Sequence, residues 1–295
     1  KEGLMSILAT GDRKVELLVY PDYALAYVPS SMGYPAYYPW RPTSLEKPVR
    51  AVLMDLDGTT VRSEQFWIWM IQLTTASLLG NPRFELDTSD IPFVSGHSVS
   101  EHLQYCIAKY CPTKTVEAAR QFYFEHTRRE MKAIAEGHGR THAFTPTPGV
   151  KEFLLALKAR KVHIGLVTSG LHEKAYPEIL AAFHTLGLGD PRDFYDSIIT
   201  AGFPLRKGEV GTLGELTPKP HPWLYAEICR LGLGIPFQQR HHVVGIEDSS
   251  AGVCSIRLAG YTCIGLAGGN IVQSGARAMC DHYCERFDEI LTLLS

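Results

Sequence analysis

The stretch "VRAVLMDLDGTTV" (residues 49–61) joins an apolar run to two acids, Asp55 and Asp57, that stand two positions apart. Carboxylates this close repel each other, since unit charges about 4 Å apart interact by roughly 4 kcal/mol near a protein surface. The run before them has the near-continuous apolar character of a strand in a parallel sheet covered on both faces. We therefore expect a buried strand that carries two acids to one edge of a sheet, beside a compensating cation or proton.

Further apolar runs follow along the chain and alternate with helical patterns. Thr147-Pro148 predicts the start of a helix over "GVKEFLLALKAR", and His221-Pro222 that of a helix over "WLYAEICRLGL". Alternation of this kind is typical of a doubly wound, Rossmann-like α/β domain with a parallel sheet. The predicted strands are 49–55, 162–168, 197–201, 241–247 and 261–267.

Two regions depart from this alternation. Residues 62–146 contain helical patterns at 64–79, 99–110 and 115–136 without a convincing strand, and predict an all-helical insertion. The N-terminal region predicts two short strands within 14–30, followed by an irregular wrapping segment rich in Pro and Tyr. The Gly-rich segment 203–216 is interpreted as a hairpin. The predicted domains are a 1–48 extension that packs on the core, a 49–62 plus 146–295 Rossmann-like core and a 63–145 helical domain.

Composition excludes several function classes. The chain has 295 residues, 45% hydrophobic and 20% charged, with a formal net charge of −2. It lacks the basic footprint of a protein that binds nucleic acid or an anionic membrane, so neither is an expected partner. Seven scattered cysteines suit free thiols in a reducing compartment. No apolar stretch reaches about 18 residues and no signal-peptide pattern is present. We predict a cytoplasmic protein and leave its oligomeric state open, together with any targeting segment ahead of Lys1.

Polar residues also end the other predicted strands. Thr168 ends the second and is followed by Ser169, while Glu247 and Asp248 stand at the end of the fourth. Lys219 lies in the loop before the helix that leads into that fourth strand. Because parallel strands end at the same edge of a sheet, we expect these side chains to meet Asp55 and Asp57 there.

The ligand atoms of the predicted acidic cluster indicate which cation it binds. Four carboxylates, from Asp55, Asp57, Glu247 and Asp248, form a hard, all-oxygen ligand set without His or Cys. Such a set favours Mg²⁺, which binds a few carboxylates and keeps positions for water and phosphate. Lys219 adds a point charge suited to phosphate oxygens. The sequence therefore predicts a magnesium site that receives a phosphoryl group.

Position separates the roles of the two leading acids. Asp55, at the strand end, is placed to attack a phosphoryl group and form an aspartyl-phosphate. Asp57 can protonate the leaving oxygen and then activate water. Gly58 permits the tight turn that brings both acids to one place. The amides of Leu56 and Asp57, the Thr168 hydroxyl and the free N–H groups of the turn after it, starting at Ser169, form the predicted phosphate cradle.

Four motifs carry a resemblance to a known family. The chain resembles the haloacid dehalogenase-like phosphohydrolase superfamily, in particular the branch with β-phosphoglucomutase, phosphoglycolate phosphatase and phosphonatase. The resemblance spans about residues 49–290 and rests on "DLDGTTV", "LVTSG", "PKPHPWLY" and "VVGIEDSSAGV". It implies that Asp55 is the nucleophile and Asp57 the acid/base, that Thr168 and Lys219 bind phosphate, and that the helical insertion is a substrate-selecting cap. The implied Mg²⁺ ligands are Asp55, the Asp57 backbone carbonyl and Asp248, with Glu247 close by.

Departures from the family pattern separate the alternatives. Sugar-phosphate mutases place an arginine where this chain has Ser98, Val99 and Ser100, which weakens a mutase interpretation. A phosphonatase needs a cap lysine for a Schiff base, for which the chain offers Lys109, Lys114 and Lys132. Candidate substrate contacts in the cap are Glu64, Trp67, His97, His102, Arg128 and Arg129.

The sequence thus predicts a Mg²⁺-dependent phosphatase that acts on a small phosphorylated metabolite. The first alternative is a phosphomutase of the β-phosphoglucomutase type, and the second is a catalytically silent binding or regulatory protein with the same fold.

Overall fold

The computed structural model describes residues 3–11, 13–29, 35–94, 99–140, 142–200 and 217–295. Its strands, in chain order, are β1 (Ser6–Ala9), β2 (Glu16–Val19), β3 (Ala24–Val28), β4 (Ala36–Trp40), β5 (Ala51–Asp55), β6 (Val61–Arg62), β7 (Thr145–Pro146), β8 (His163–Thr168), β9 (Ser197–Thr200), β10 (Val243–Glu247), β11 (Thr262–Leu266) and β12 (His282–Cys284). Its α-helices are α1 (Glu64–Leu79), α2 (Val99–Tyr110), α3 (Val116–Ala135), α4 (Val150–Ala159), α5 (His172–Leu186), α6 (Pro191–Phe194), α7 (Trp223–Glu227), α8 (Ser250–Ala259) and α9 (Phe287–Leu293). Short 3₁₀ turns occupy Thr88–Phe93, Phe237–His242 and Ala276–Met279.

The core is a six-stranded parallel sheet with the strand order β12-β11-β10-β5-β8-β9. β5 lies in its middle and pairs with β10 on one side and β8 on the other. This arrangement confirms the predicted doubly wound parallel sheet, including its five predicted strands. Within this six-stranded sheet, only the short edge strand β12 was not predicted.

Both faces of the sheet are covered, which explains the unbroken apolar runs. Neighbouring residues of a strand point to opposite faces. Val52 and Met54 of β5 accordingly join one core cluster, whereas Ala51 and Leu53 join the other. All five residues of β5 are buried, as are those of β10 and β11. At the carboxyl ends of β5 and β10 the apolar run gives way to the acids Asp55 and Glu247.

The start predicted for the helix after Thr147-Pro148 is wrong by two residues. α4 begins at Val150, after Gly149, whose φ of 81° is left-handed and cannot continue a helix. The Thr147 amide instead donates to the Thr60 carbonyl oxygen at 3.1 Å. The helix after His221-Pro222 begins at Trp223, close to the prediction, and continues as a wider π-helical turn over Ile228–Gly232.

Helices α1, α2 and α3 form the helical insertion, and their bounds agree closely with the predicted patterns. β6 and β7 pair as a two-stranded antiparallel sheet, Val61 opposite Pro146 and Arg62 opposite Thr145. The chain therefore enters and leaves the insertion at one point. The exact domain boundaries stay a prediction.

The N-terminal region forms a four-stranded antiparallel sheet in the order β1-β2-β3-β4. β2 and β3 correspond to the two predicted strands. The interpretation of the following segment as irregular is wrong for β4, which tolerates Pro39 because it is an edge strand. The sheet packs on α8 through a small apolar cluster that contains Val15, Ala26, Val28, Cys254 and Leu258.

None of the seven cysteines, all of which lie within the described residues, forms a disulfide, as predicted. None of the helices in the described part of the chain combines the length and apolar character that crossing a bilayer requires. The hairpin predicted at 203–216 lies outside the described residues.

Candidate active site

The turn after β5 holds the two leading acids at the sheet edge. Asp55 is the last residue of β5 and is buried, whereas the Asp57 side chain is 34% exposed. The turn is closed by a bond from the Val61 amide to the Leu56 carbonyl oxygen at 2.9 Å. Asp55 therefore sits at the floor of the site, Leu56 lies between the acids, and Asp57 faces the opening.

Gly58 is required where it stands. Its φ is +90°, a left-handed conformation that side chains other than glycine rarely adopt. A Cβ atom here would lie 2.1 Å from Asp248 Oδ2. The turn and Asp248 therefore approach so closely that only glycine fits. The sequence predicted a tight turn at Gly58 but not its contact with Asp248.

Three carboxylates gather at the ends of the neighbouring strands β5 and β10. Oxygens from Asp55, Glu247 and Asp248 all lie within 4.8 Å of one another, the one such group of potential metal ligands among the described residues. Lys219 is 6% exposed at its side chain; its ammonium group donates to Asp55 and, at 2.5 Å, to Glu247 Oε1. Tyr225 also donates to Glu247 Oε1, at 2.8 Å.

One lysine does not balance the negative charge of these three acids. Burial raises the pKa of Asp55 well above its usual range, and the Glu247 charge raises it further, against the opposing effect of Lys219. Burial and Glu247 raise the pKa of Asp248 as well. A divalent cation would relieve this excess charge, and the all-oxygen set fits Mg²⁺ better than a softer metal. The residues present therefore fit the implied metal.

Asp57 has a different environment. It accepts a hydrogen bond from Ser63 Oγ at 2.9 Å and one from Thr168 Oγ1 at 3.4 Å, and Lys174 Nζ lies 3.6 Å from its Oδ1. Burial alone would raise the pKa of Asp57, but Lys174 and the Ser63 hydrogen bond outweigh it and lower the pKa. The pKa of Asp55 is thus raised and that of Asp57 lowered, as expected for two acids with different chemical roles.

The residues of the predicted phosphate cradle lie beside Asp57 and Lys219. Thr168 Oγ1 accepts from the Gly170 amide at 2.9 Å, and Ser169 Oγ accepts from the Lys219 amide at 3.1 Å. The turn after β8 and the Lys219 loop are therefore joined. Asp55, Asp57, Thr168, Ser169, Lys219, Glu247 and Asp248 surround one small region, although their chemical roles stay predictions.

Trp67 is the cap candidate that approaches this region. Its ring centroid lies 3.8 Å from Lys174 Nζ, and its indole donates to Glu178 Oε2 at 3.2 Å. Glu178 is fully buried, and burial raises its pKa well above the usual range, helped by the Asp57 charge.

The other cap candidates have other surroundings. Glu64, Arg128 and Arg129 are exposed on the helical insertion, and Arg129 pairs with Glu130 at 2.9 Å. His102 is buried within the insertion. His97, like Ser98, lies outside the described residues.

Sequence reasoning missed Ser63, Lys174 and Glu178. Lys174 and Glu178 are four positions apart on α5, so they share the helix face that meets Trp67 of α1. The i, i+4 spacing was a weak signal. It is informative only when α5 is known to begin at His172, four residues after Thr168.

Comparisons with known proteins give one family match and several solved structures of similar fold. A family model described as haloacid dehalogenase-like hydrolase matches residues 49–260. No curated protein sequence is significantly similar to the chain. Solved structures with a similar fold include CbbY from Rhodobacter sphaeroides in complex with phosphate, which is 19% identical, with a TM-score of 0.59, and covers 82% of this chain and 96% of its own.

Two further structures share the fold at similar levels. A β-phosphoglucomutase from Clostridium difficile is 22% identical, with a TM-score of 0.57, over 83% of this chain and 97% of its own. A protein from Haemophilus somnus described as a predicted phosphoglycolate phosphatase is 18% identical, with a TM-score of 0.60, over 84% of this chain and 99% of its own.

Proposed function

This chain belongs to the haloacid dehalogenase-like hydrolase family, and on that premise we propose that it is a Mg²⁺-dependent phosphatase of a small phosphorylated metabolite. The reaction proceeds through an aspartyl-phosphate on Asp55. The observation that carries the proposal is the buried Lys219 ammonium group between Asp55 and Glu247, at the edge where the polar ends of β5, β8 and β10 meet. The small size of the substrate is inferred from the helical insertion, which we propose acts as a cap.

Asp55 is the nucleophile. Its carboxylate is fixed at the floor of the site by Lys219, which limits the rotations open to it. A phosphoryl group bound against Lys219 and Thr168 presents its phosphorus atom to Asp55. An Asp55 oxygen then forms a bond to phosphorus as the bond to the ester oxygen breaks. Holding the reactants in this way supplies much of the rate enhancement.

Asp57 moves the proton. It is the more exposed of the two acids, so it reaches the ester oxygen that leaves and the water that later enters. Negative charge on an incoming phosphoryl group opposes Lys174 and favours the protonated form of Asp57. Asp57 gives that proton to the leaving oxygen, then takes one from the water that attacks the phosphorus of the aspartyl-phosphate. Release of phosphate restores Asp55 and leaves Asp57 protonated.

The implied Mg²⁺ would be held by the Asp55 and Asp248 side chains and the Asp57 backbone carbonyl, with Glu247 alongside. When bound, it neutralises charge on the transferring phosphoryl oxygens and on the crowded carboxylates. Thr59 Oγ1 donates to Asp248 Oδ1 at 3.3 Å and so fixes the orientation of that carboxylate.

A phosphomutase is the second hypothesis, because the solved structures of similar fold include a β-phosphoglucomutase. Val99 and Ser100 begin α2 where such mutases place an arginine, which favours hydrolysis. Phosphate release without any bisphosphate activator separates the two. A catalytically silent protein is disfavoured because each required acid, hydroxyl and lysine is present.

The experiment is a screen of phosphorylated metabolites for phosphate release, with Mg²⁺ and with a chelator in its place. We expect Mg²⁺-dependent release from at least one phosphomonoester, and its loss in Asp55→Asn. Asp22→Asn, an exposed acid in the N-terminal sheet, is the matched control and should retain full activity. Release that persists in Asp55→Asn would refute the proposal.

A further inference from the structure

The N-terminal sheet reaches the loop that carries Lys219. Tyr38 lies on β4, and its hydroxyl is 2.7 Å from His221 Nδ1. The Tyr38 ring also makes edge-on contacts with the His221 ring at 5.8 Å and with Trp223 at 5.9 Å between centroids. A residue outside the span matched by the family model therefore contacts the loop two residues beyond Lys219.

His221 is held firmly, and Tyr38 provides its side-chain anchor. His221 is only 4% exposed, and its backbone carbonyl accepts from Ser255 Oγ of α8 at 2.6 Å. Within the described part of the chain, its other ring nitrogen, Nε2, has no hydrogen-bond partner. A buried imidazole that keeps one hydrogen bond is costly to leave without it. The hydrogen bond with the Tyr38 hydroxyl thus orients the His221 ring.

Lys219 depends on the same short loop. On one side its amide donates to Ser169 Oγ at 3.1 Å. On the other side, the chain is fixed two residues later by the contacts of His221. Between these points the buried Lys219 side chain reaches both Asp55 and Glu247. Catalytic groups of this kind lose function when displaced by about 1 Å.

We propose that Tyr38 is a positioning residue for Lys219, so that the segment before residue 49 forms part of the active-site architecture. The inference rests on the proposed function, because it takes Lys219 to be a phosphate ligand. The apolar contacts of Val15, Ala26 and Val28 with α8 hold the sheet in place without the Tyr38 hydroxyl. Removing that oxygen therefore leaves the sheet packed and changes the Lys219 loop.

The test compares two single-atom deletions on one strand of the full-length protein. Tyr38→Phe removes the hydroxyl that contacts His221. Tyr37→Phe is the matched control, because Tyr37 is 62% exposed and packs against Tyr27 instead. The readouts are the dissociation constant of inorganic phosphate in the presence of Mg²⁺, the kcat/KM for p-nitrophenyl phosphate, and the thermal midpoint.

We expect Tyr38→Phe to weaken phosphate binding by about threefold to tenfold, the loss of one ordinary hydrogen bond, and to lower kcat/KM in parallel. Tyr37→Phe should match the wild type in both. In a Lys219→Met background, the effect of Tyr38→Phe on phosphate binding should fall to nearly nothing, because the two residues act through one another.

The outcomes separate a positioning role from a structural one. A Tyr38→Phe protein that melts earlier yet binds phosphate as tightly as the wild type would overturn the inference. Equal losses in the wild-type and Lys219→Met backgrounds would overturn it as well. If the wild-type protein neither binds phosphate nor releases it from any ester, the proposed function itself fails, which is a different result. If Lys219→Met does not fold, the single variants and their melting curves still decide the question.

Discussion

Lys219 Nζ lies 2.5 Å from Glu247 Oε1 and also donates to Asp55, so one buried ammonium group joins the ends of two neighbouring strands. This contact balances part of the negative charge of the three carboxylates that share the edge of an apolar sheet. It also places the ammonium group beside Asp55, which we propose is the nucleophile.

Replacing Lys219 tests this contact. Lys219→Met should abolish detectable phosphate release and, without Mg²⁺, lower the free energy of unfolding by about 3–5 kcal/mol, because it leaves buried carboxylates unpaired. Added Mg²⁺ should recover part of that stability but not the activity. Chemical denaturation with and without Mg²⁺ measures both effects. A variant as stable as the wild type without metal would contradict the ion-pair argument.

Gly58→Ala tests the close approach between the β5 turn and Asp248. The new Cβ would lie 2.1 Å from Asp248 Oδ2 at a left-handed φ, so we expect loss of activity and a destabilisation of about 1–3 kcal/mol. Gly80→Ala is the matched control: it ends α1 at a φ of 61° with no atom within 4 Å of the new Cβ. It should lose some stability and keep the wild-type kcat/KM. Equal kcat/KM values for the two variants would argue against a strict need for glycine at position 58.

Lys174→Met tests the environment of Asp57. Lys174 lowers the Asp57 pKa in the folded protein, so its removal should raise that pKa. Whichever limb of the pH–rate profile Asp57 controls should therefore move to higher pH. Lys132→Met is the control, because the Lys132 side chain is 75% exposed on α3, and it should leave the profile unchanged. A shift of the Lys174→Met profile to lower pH would count against the assignment of Asp57 as the proton carrier.

Asp90 gives a pH prediction within the helical insertion. This buried carboxylate accepts hydrogen bonds from Lys109, from Tyr110 and, at 2.6 Å, from Tyr105. Burial would raise its pKa, but these hydrogen bonds outweigh burial and hold the pKa at about 2. Because the folded pKa is below the unfolded value of about 3.9, this stabilisation is present above about pH 4 and is lost as the pH falls toward 2.

The measurement for Asp90 is the difference in thermal midpoint between the wild type and Asp90→Asn as a function of pH. We expect the wild type to be the more stable protein at about pH 6 and the difference to shrink between about pH 4 and pH 2. A difference that stays constant over that range would show that the ionised form is not what stabilises the network. Since Lys109 serves this network, a Schiff-base role for it is disfavoured.

The sequence was most informative where residue type and sheet geometry act together. Asp55, Lys219 and Glu247 could be predicted to meet because apolar runs identify buried parallel strands, and parallel strands end at one edge. Lys174 and Tyr38 could not, because their contacts depend on how α5 and β4 pack. The start of α4 was misplaced because the left-handed φ of Gly149, 81°, delays the helix to Val150, and residue type alone does not reveal that conformation.

We propose that Asp55 carries the phosphoryl group during turnover. The most direct test is an acid quench of the enzyme during steady-state turnover of a phosphomonoester identified in the screen, followed by mass spectrometry of its peptides. We expect a phosphorylated peptide whose modification maps to Asp55 and disappears in Asp55→Asn along with phosphate release. Undiminished turnover by Asp55→Asn, or a phosphoryl group found on a different residue, would contradict it.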